Sequence, residues 1–375
     1  MTSTPKTLIE QLLTHADIQI NGSRPWDIQV KNEQLYARVL AQGSLGLGEA
    51  YMDGWWDSDA LDQTFFRVFN AGLEKKIPRN MGAVLAALKS QLFNAQTPSK
   101  AFEIGDAHYN IGNDLYQAML DKRLTYTCGY WKDAKTLDEA QEAKLDLVCR
   151  KLNLQKGQRV LDIGCGWGSF LKFAAEKYGI VGVGVTVAKE QVKLAKELCA
   201  GLPIEIRLQD YRDLNEQFDH IVSLGMFEHV GEKNYQTYME VARRCLKDSG
   251  LFLLHTIGGN KSVKRTDAWI EKYIFPNSML PSISQIGESI ENKFVMEDWH
   301  SFGAYYDNTL MAWFENFDRE WKRSPALAAQ YSFRFYRMWK YYLLSCAGSF
   351  RARKNQLWQI VLSKNGVTGG YTSVR

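Results

Sequence analysis

The chain has 375 residues, of which 45% are hydrophobic and 23% charged, and its formal net charge is +4. This balance is typical of a globular protein of one or two domains, and a weak positive charge without a block of like charges argues against nucleic acid as a partner. The six cysteines form no Cys-x-x-Cys pair and the six histidines have no metal-ligand spacing, so we expect no disulfide scaffold, no metal site and a cytoplasmic location.

Residues 1–95 predict a small, mainly helical N-terminal domain. The apolar residues between positions 8 and 13 have helical spacing, and Gly43–Trp56 has the glycines and aromatics of a packed loop and helix start. A second amphipathic stretch, 81–92, has a basic flank that either meets lipid headgroups or is solvated while the helix packs on its own domain. No apolar run approaches the roughly 20 residues that cross a bilayer, and the N-terminus lacks the apolar core of a signal peptide. We therefore expect any membrane contact to be peripheral.

The pattern changes after a linker at 96–107, and residues 108–375 predict one α/β domain. Buried strands alternate with helices, which predicts a Rossmann-like parallel sheet with helices on both faces. The predicted strands are Arg159–Ile163, Ile180–Val185, Ile204–Leu208, Phe218–Leu224, Leu251–Ile257, Lys293–Trp299 and Gln356–Ser363. Aromatic-rich helices are predicted at Asp307–Arg323 and Pro325–Ser349.

The strongest single motif is Val160-Leu-Asp-Ile-Gly-Cys-Gly-Trp-Gly168, which follows a strand and opens a helix. Its glycines, Gly164, Gly166 and Gly168, allow the backbone to pass close to a ligand. Dinucleotide-binding proteins also have such a turn, but a carboxylate such as Asp162 can face an ammonium and would repel a pyrophosphate. The motif therefore favours S-adenosylmethionine as the ligand.

The ends of the next two strands predict the rest of the cofactor site. Many nucleotide-binding enzymes have an acidic residue after the second strand for the ribose hydroxyls, whereas this chain offers Thr186 and Gln191 as neutral hydrogen-bonding groups. After the third strand, Asp210 is placed to accept from the adenine amino group and Tyr211 to lie against the ring. Ordinary packing remains the alternative for Tyr211.

Besides the glycine-rich turn, the chain contains five further motifs: His108-Tyr-Asn-Ile-Gly-Asn-Asp-Leu-Tyr116, Leu124-Thr-Tyr-Thr-Cys-Gly-Tyr-Trp131, Gly225-Met-Phe-Glu-His-Val230, Leu254-His-Thr-Ile257 and Tyr305-Tyr-Asp-Asn-Thr-Leu310. Taken together, these motifs resemble those of the cyclopropane-fatty-acyl-phospholipid synthases and the related mycolic acid cyclopropane synthases. They cover the chain from about residue 100 to its end. The Gly43–Trp56 block is similar to the extra domain of the phospholipid enzymes, which points to phospholipid as the substrate.

The resemblance implies transfer of a methylene from S-adenosylmethionine to the cis double bond of an unsaturated phospholipid acyl chain. The methyl group is transferred first, the acyl chain then carries a cation, and a bound bicarbonate ion removes a proton so that the ring closes. The residues implied to hold the bicarbonate are the amides of Cys128 and Ile257 with the side chains of Glu228, His255 and Tyr306. Because no His or Asn partner is evident, we do not expect Cys128 to act as a nucleophile.

By the same resemblance, Tyr109, Tyr126 and Thr127 close over the methionine portion of the donor, and Gly164 and Gly166 line its path. Aromatic faces suit a cationic acyl chain. The candidates, each also compatible with plain core packing, are Tyr126, Tyr130, Trp131, Trp167, Tyr305 and Tyr306. The resemblance further implies a homodimer at the inner face of the cytoplasmic membrane. The basic aromatic segments Arg334–Lys340 and Ser349–Lys354 are either lipid-facing surfaces or structural helices.

Three alternatives remain open from the sequence. A lipid-alkene methyltransferase of the same fold would leave a methyl or methylene branch. A nucleic-acid methyltransferase usually has an Asn/Asp-Pro-Pro-aromatic loop after the fourth strand, where this chain has Gly225-Met-Phe-Glu-His without proline. A non-catalytic cofactor-binding protein with a lipid-docking domain is the third, and the set of Glu228, His255 and Tyr306 argues against it.

Overall fold

The computed structural model describes residues 4–73 and 112–375. In these ranges the helices are α1 (Pro5–Thr14), α2 (Gln34–Met52), α3 (Leu61–Asn70), α4 (Asn113–Met119), α5 (Leu137–Lys151), α6 (Ser169–Tyr178), α7 (Lys189–Leu198), α8 (Tyr235–Cys245), α9 (Ala268–Tyr273), α10 (Ile283–Ile290), α11 (Tyr305–Arg323), α12 (Pro325–Gln330) and α13 (Phe333–Arg351). The strands are β1 (Gln29–Val30), β2 (Trp56–Asp57), β3 (Arg159–Ile163), β4 (Val181–Thr186), β5 (Ile204–Leu208), β6 (Phe218–Leu224), β7 (Leu246–Gly259), β8 (Val295–Ser301) and β9 (Asn355–Ser363).

The chain divides into two compact units that are each discontinuous in sequence. The first, helical unit takes Met1–Asn94, Arg265–Pro276 and Tyr306–Asn355, and the second, α/β unit takes the remainder. The linker predicted at 96–107 and the amphipathic stretch at 81–92 lie outside the described residues. The predicted boundary between an N-terminal and a catalytic domain therefore stays a prediction.

The second unit contains a seven-stranded sheet in the order β5-β4-β3-β6-β7-β9-β8. Neighbouring strands from β5 to β7 are parallel, and β8 pairs with β9 in antiparallel register. This confirms the predicted fold class. The order reverses direction at β3, and the carboxyl ends of the parallel strands at such a point form the crevice in which ligands bind.

Alternating side chains of β3, β6, β7 and β9 supply two hydrophobic cores, one on each face of the sheet. Leu161 and Ile163 of β3 belong to a core with Tyr238 and Met239 of α8. Val160, the neighbour of Leu161 whose side chain points to the opposite face of the strand, belongs to the other core, which includes residues of α5, α6 and α7. Because both faces are covered, the strands are nearly continuous apolar runs, as expected of a parallel sheet.

The core of the first unit consists largely of aromatic side chains, and a buried arginine connects the elements around it. Trp56, Trp269, Trp313 and Trp339 are fully buried. Arg337 donates to the carbonyls of Tyr51 and Trp56 at 2.6 and 2.9 Å and pairs with Asp57 at 3.1 Å. A guanidinium in this position ties α13 to the end of α2.

The segments Arg334–Lys340 and Ser349–Lys354 have their charges largely engaged within the first unit. Arg334 pairs with Asp53 at 2.9 Å. Arg351 forms two hydrogen bonds with Asp307, at 2.8 and 2.9 Å, and pairs with Asp62 at 2.6 Å. These contacts, with those of Arg337, favour the structural interpretation of the two segments over the lipid-facing one.

Two predicted elements of this unit differ from the structure. The block expected to form a packed loop and a helix start is instead mostly the second half of a helix, since α2 continues to Met52 past a break at Gly43, where φ is 58°. The single helix predicted at Pro325–Ser349 is divided into α12 and α13. Tyr331 is extended there, and the Ser332 side chain accepts from the amide of Phe335 at 3.1 Å, which begins a new helix.

Candidate active site

A cavity opens at the carboxyl ends of β3, β4 and β6 in the second unit. It encloses about 1200 Å³ including its mouth to solvent, which is on the scale of small-molecule sites. Nine of the residues predicted to hold the cofactor line it, namely Tyr126, Thr127, Asp162, Gly164, Gly166, Thr186, Gln191, Asp210 and Tyr211. Gly168 does not line it, and Tyr109 lies outside the described residues.

The glycine-rich turn shapes one wall of this cavity. Gly164, Gly166 and Gly168 have φ values of 87°, 54° and 80°, in the left-handed region that side chains rarely adopt. A Cβ atom at Gly164 would lie 2.6 Å from the side chain of Met226. Gly168 instead serves as the N-cap residue of α6. Two glycines thus open the ligand path while the third starts the helix.

Asp162 supplies a buried carboxylate to the cavity. Its side chain is 2% exposed, and Oδ1 has no hydrogen-bond partner among the described residues. Burial raises the pKa of Asp162 to about 7, against the opposing effect of the nearby Lys144 ammonium. An unpartnered buried oxygen in a ligand cavity fits the ammonium of S-adenosylmethionine, as the sequence predicts.

Lys144 also lines the cavity, and the sequence analysis did not identify it. It lies on α5 with no exposed surface, and its Nζ donates to Thr127 Oγ1 at 2.7 Å. Helical periodicity could have indicated it, because Lys144 falls on the same buried helix face as Leu137, Gln141 and Val148. A lysine on such a face needs an explanation beyond solvation.

The far end of the cavity is formed by the residues predicted for ribose and adenine. Thr186 Oγ1 donates to Gln191 Oε1 at 3.0 Å, which holds the amide against the end of β4. Asp210 accepts from the amide and guanidinium of Arg212, at 2.9 and 2.8 Å, so its carboxylate is already paired. Tyr211 is buried and packs edge-on against Tyr238. The predicted residues are together, but Asp210 has a partner that the sequence did not suggest.

Four residues of the predicted bicarbonate set lie in the second unit, next to the cavity rather than on its wall. Glu228 is in a short 3-10 helix after β6, and its Oε1 accepts from the amide of Ile257 at 2.6 Å. That amide was expected to hold the ion directly, and in the structure its hydrogen is engaged by Glu228. Glu228 Oε2 and His255 Nε2 are buried and have no partner among the described residues.

The protonation of Glu228 and His255 follows from burial. Burial raises the pKa of Glu228 to about 7, partly offset by the Ile257 amide. Burial, with Lys144 and Lys151 nearby, lowers the pKa of His255 well below its usual range, so the ring is neutral. Gln359 Nε2 lies 3.3 Å from His255 Nδ1. Because an amide nitrogen can only donate, Nδ1 accepts in this pair and Nε2 carries the ring hydrogen toward a ligand.

Cys128 and Tyr306 complete the predicted set. Cys128 is fully buried, and its Sγ donates to the carbonyl of Gly129 at 3.3 Å. Tyr306 belongs to the first unit, where it is 7% exposed, stacks on Phe350 and meets Trp313 edge-on. Its predicted role beside Glu228 and His255 stays a prediction.

The sheet order, the glycine-rich turn and the acidic residue in a cavity at the strand ends define an S-adenosylmethionine-dependent methyltransferase. A solved structure of coclaurine N-methyltransferase bound to N-methylheliamine and SAH has the same fold, with a TM-score of 0.71 at 21% identity, covering 85% of this chain and 99% of that one. S-adenosylmethionine is the methyl donor of this class. The described residues fit it, since the cavity contains an unpartnered carboxylate and a glycine-lined path.

The chain belongs to the family described as mycolic acid cyclopropane synthetase, which matches residues 96–360. Cyclopropane-fatty-acyl-phospholipid synthase of Escherichia coli (strain K12) is 55% identical over 368 residues, covering 98% of this chain and 95% of that protein. Cyclopropane mycolic acid synthase 1 of Mycobacterium tuberculosis (strain ATCC 25618 / H37Rv) is 35% identical, covering 65% of this chain and 91% of that protein.

Two solved structures of this family resemble the chain closely. The cyclopropane synthase MmaA2 from Mycobacterium tuberculosis is 32% identical with a TM-score of 0.66, covering 72% of this chain and 100% of that one. Mycolic acid cyclopropane synthase CmaA1, complexed with SAH and CTAB, is 34% identical with a TM-score of 0.64, covering 70% and 98%. The phospholipid enzyme of E. coli, in contrast, is matched nearly from end to end.

Proposed function

We propose that this enzyme transfers a methylene from S-adenosylmethionine to the cis double bond of unsaturated phospholipid acyl chains and forms a cyclopropane ring. The observation that carries the substrate class is the match over 98% of the chain to the E. coli phospholipid enzyme. The mycolic acid enzyme named above covers 65%. A segment shared with the phospholipid enzyme and absent from the other match supports phospholipid rather than mycolic acid.

The donor, when bound, supplies an electrophilic methyl group to an alkene that is itself a weak nucleophile. The protein's part is then to position the two and exclude water, which can contribute several kcal/mol, up to ~7–11. Asp162 accepts from the donor's ammonium, and the glycine path at Gly164 and Gly166 lets the backbone close around it. Fixing the amino-acid end in this way aligns the methyl group with the acyl chain.

Ring closure requires a base, and we propose a bicarbonate ion held by Glu228 and His255. Support comes from Glu228 Oε2 and His255 Nε2, two buried atoms without a partner in the described part of the chain, which a small hydrogen-bonding ion would satisfy. His255 donates to the anion through Nε2. Glu228 accepts the ion's own hydrogen, and the Ile257 amide, which donates to Glu228 Oε1, orients that carboxylate. A carboxylate that orients a base in this way plays the same part as the acid of a catalytic triad.

We further propose a homodimer that works at the inner face of the cytoplasmic membrane, reached from the cytoplasm. All six cysteines are free, which supports a reducing compartment. None of the described helices is long and apolar enough to cross a membrane. Residues 1–95 are proposed as the lipid-docking domain, 96–107 as a linker and 108–375 as the catalytic domain. Light scattering and vesicle co-sedimentation of the purified chain test the dimer and the membrane contact.

The function is tested with purified protein, S-adenosylmethionine and vesicles of unsaturated phospholipid. Mass spectrometry of the acyl chains and NMR of the olefinic protons are read on the same sample. The proposal predicts the gain of one CH₂ together with loss of the olefinic protons. The same gain with the alkene retained, or moved along the chain, would identify a branching methyltransferase instead. Binding of the donor without any gain would indicate a non-catalytic protein.

A further inference from the structure

The cavity contains a buried cation to which neither the sequence motifs nor the family resemblance assigns a role. Lys144 has no exposed surface, and among the described residues its one hydrogen bond is to Thr127 Oγ1 at 2.7 Å. Asp121, Cys128 and Asp162 act on it electrostatically, but no carboxylate of the described chain comes within ion-pair distance. A buried ammonium with one neutral acceptor is costly unless an anion joins it.

A second buried lysine on the same helix shows the contrasting, structural case. Lys151 is also fully buried, but it lies 3.1 Å from His300 Nδ1 and 3.7 Å from Asp298 Oδ2. It does not line the cavity. Lys151 thus has its counter-charge within the protein, whereas Lys144 faces the cavity with no ion-pair partner among residues 4–73 and 112–375.

Neither Asp121 nor Asp162 forms an ion pair with Lys144 among the described residues. Asp121 is engaged locally, since its Oδ1 accepts from the amide of Thr125 at 2.7 Å and its Oδ2 from that of Arg123 at 3.0 Å. Asp162 lines the same cavity and keeps Oδ1 unpartnered. One buried acid and one buried base in a single cavity are complementary to a zwitterion.

We propose that Lys144 binds the α-carboxylate of the methyl donor's amino-acid portion, while Asp162 accepts from its ammonium. The inference rests on the proposed function through the identity of the donor alone. Thr127 orients the ammonium of Lys144 by accepting one of its hydrogens, which leaves the others for the carboxylate. Lys144 therefore makes the enzyme specific for a donor that carries a carboxyl group, and it is a binding residue rather than a catalytic one.

The test measures binding, not turnover, by isothermal titration calorimetry with two probes. One is S-adenosylhomocysteine and the other is its analogue without the carboxyl group. We expect the wild-type protein to bind the first about tenfold to a hundredfold more tightly, the range of a charged hydrogen bond. Lys144→Met should lose most of this preference by weakening the first ligand, while Lys151→Met, the matched control, should keep it.

Equal weakening of both ligands in Lys144→Met, or an unchanged ratio, would overturn the inference. A wild-type protein that binds neither ligand would overturn the methyl donor itself, and with it the proposed function. If Lys144→Met does not fold, the wild-type ratio is measured from pH 7 to 9.5. Burial lowers the pKa of Lys144 to about 8 against Asp121, Cys128 and Asp162, so the preference should fall as pH rises through 8. Because removal of the carboxyl group changes the pKa of the ligand's own ammonium, that pKa is measured for each free ligand by NMR titration and its contribution to the ratio is subtracted. Asp162 faces the ammonium of either ligand, and a corrected ratio independent of pH would contradict the proposal.

Discussion

Glu228 illustrates how the site holds an acid ready for chemistry at a cost in stability. Its carboxyl is buried, one oxygen accepts from the Ile257 amide, and the other has no partner among the described residues. Burial disfavours the charged form and raises the pKa from 4.5 to about 7. Ionisation of Glu228 at neutral pH therefore lowers the free energy of unfolding, a cost that is common at functional sites.

Replacing Glu228 by glutamine should stabilise the protein while removing activity. Because the folded pKa is raised, the unfolding free energy of the wild type falls as pH increases from about 4.5 to about 7. Glu228→Gln lacks this loss, so we expect it to be about 2–3 kcal/mol more stable than wild type at pH 8 and equal to it near pH 4. Urea unfolding at the two pH values measures this difference, and the exposed Glu240→Gln is the control. Equal stability of Glu228→Gln and wild type at pH 8 would contradict the claim that burial raises the pKa of Glu228.

Cys128 should tolerate replacement of its sulfur. The family resemblance implies that Cys128 contacts the bicarbonate through its backbone amide and not through its sulfur. The thiol donates to the carbonyl of Gly129, a hydrogen bond that a hydroxyl can also make. We expect Cys128→Ser to keep its rate within about threefold, because the hydroxyl can keep this hydrogen bond and even its complete loss would cost less than ~1 kcal/mol. Loss of all activity, with the fold and the dependence on added bicarbonate intact, would mean that the thiol itself takes part.

Residues with a motif around them could be predicted from the sequence, and those without one could not. Asp162 and the glycines stand in a strand-turn-helix pattern whose geometry is local. Lys144 and Gln359 lie among apolar neighbours on α5 and β9, and their partners Thr127 and His255 are distant in sequence. The sequence shows that these two positions combine a polar side chain with a buried phase. It does not show that Lys144 faces the cavity or that Gln359 lies beside the His255 ring.

At the level of elements, most parallel strands were predicted well because they are short apolar runs bounded by turn residues, whereas β7 begins at Leu246 rather than at the predicted Leu251. α2 was partly misread because glycines are poor helix formers. In the structure, a Cβ atom at Gly48 would lie 2.4 Å from the ring of Trp269, so tertiary packing requires glycine there. Propensity alone does not reveal a close approach between segments more than 200 residues apart.

The turn between β3 and α6 offers a test of the ligand path. Gly164→Ala places a methyl group 2.6 Å from Met226 at a φ of 87°, so we expect affinity for S-adenosylhomocysteine to fall by about tenfold or more. Gly201→Ala is the matched control, because Gly201 has a φ of 80° but open space around it.

Calorimetry of the two glycine variants separates backbone strain from obstruction of the site. Backbone strain alone would lower the thermal stability of both variants, and reduce their affinity for S-adenosylhomocysteine, to a similar extent. Obstruction affects ligand affinity in Gly164→Ala and leaves Gly201→Ala like the wild type. Similar affinities in the two variants would show that Gly164 does not border the bound ligand.

For the whole molecule, the class of fold was predictable and the division into units was not. The helical unit takes three separate stretches of chain, including Arg265–Pro276 and Tyr306–Asn355. From the sequence, these two stretches were placed in the α/β domain predicted at 108–375. Periodicity indicates which face of an element is buried, but it does not indicate which core that face packs against. The partly buried ion pairs of Arg337 and Arg351 belong to this unit and were likewise unpredicted.

The central claim is that a proton is removed from the transferred methyl group, so that a ring closes on a phospholipid acyl chain. It is tested most directly with S-adenosylmethionine whose methyl group carries three deuterium atoms, incubated with the enzyme and unsaturated phospholipid vesicles. Mass spectrometry of the acyl chains should show that the product retains two of the three deuterium atoms and has lost its double bond. Retention of all three would mean that the proton came from the acyl chain, and would contradict cyclopropane formation.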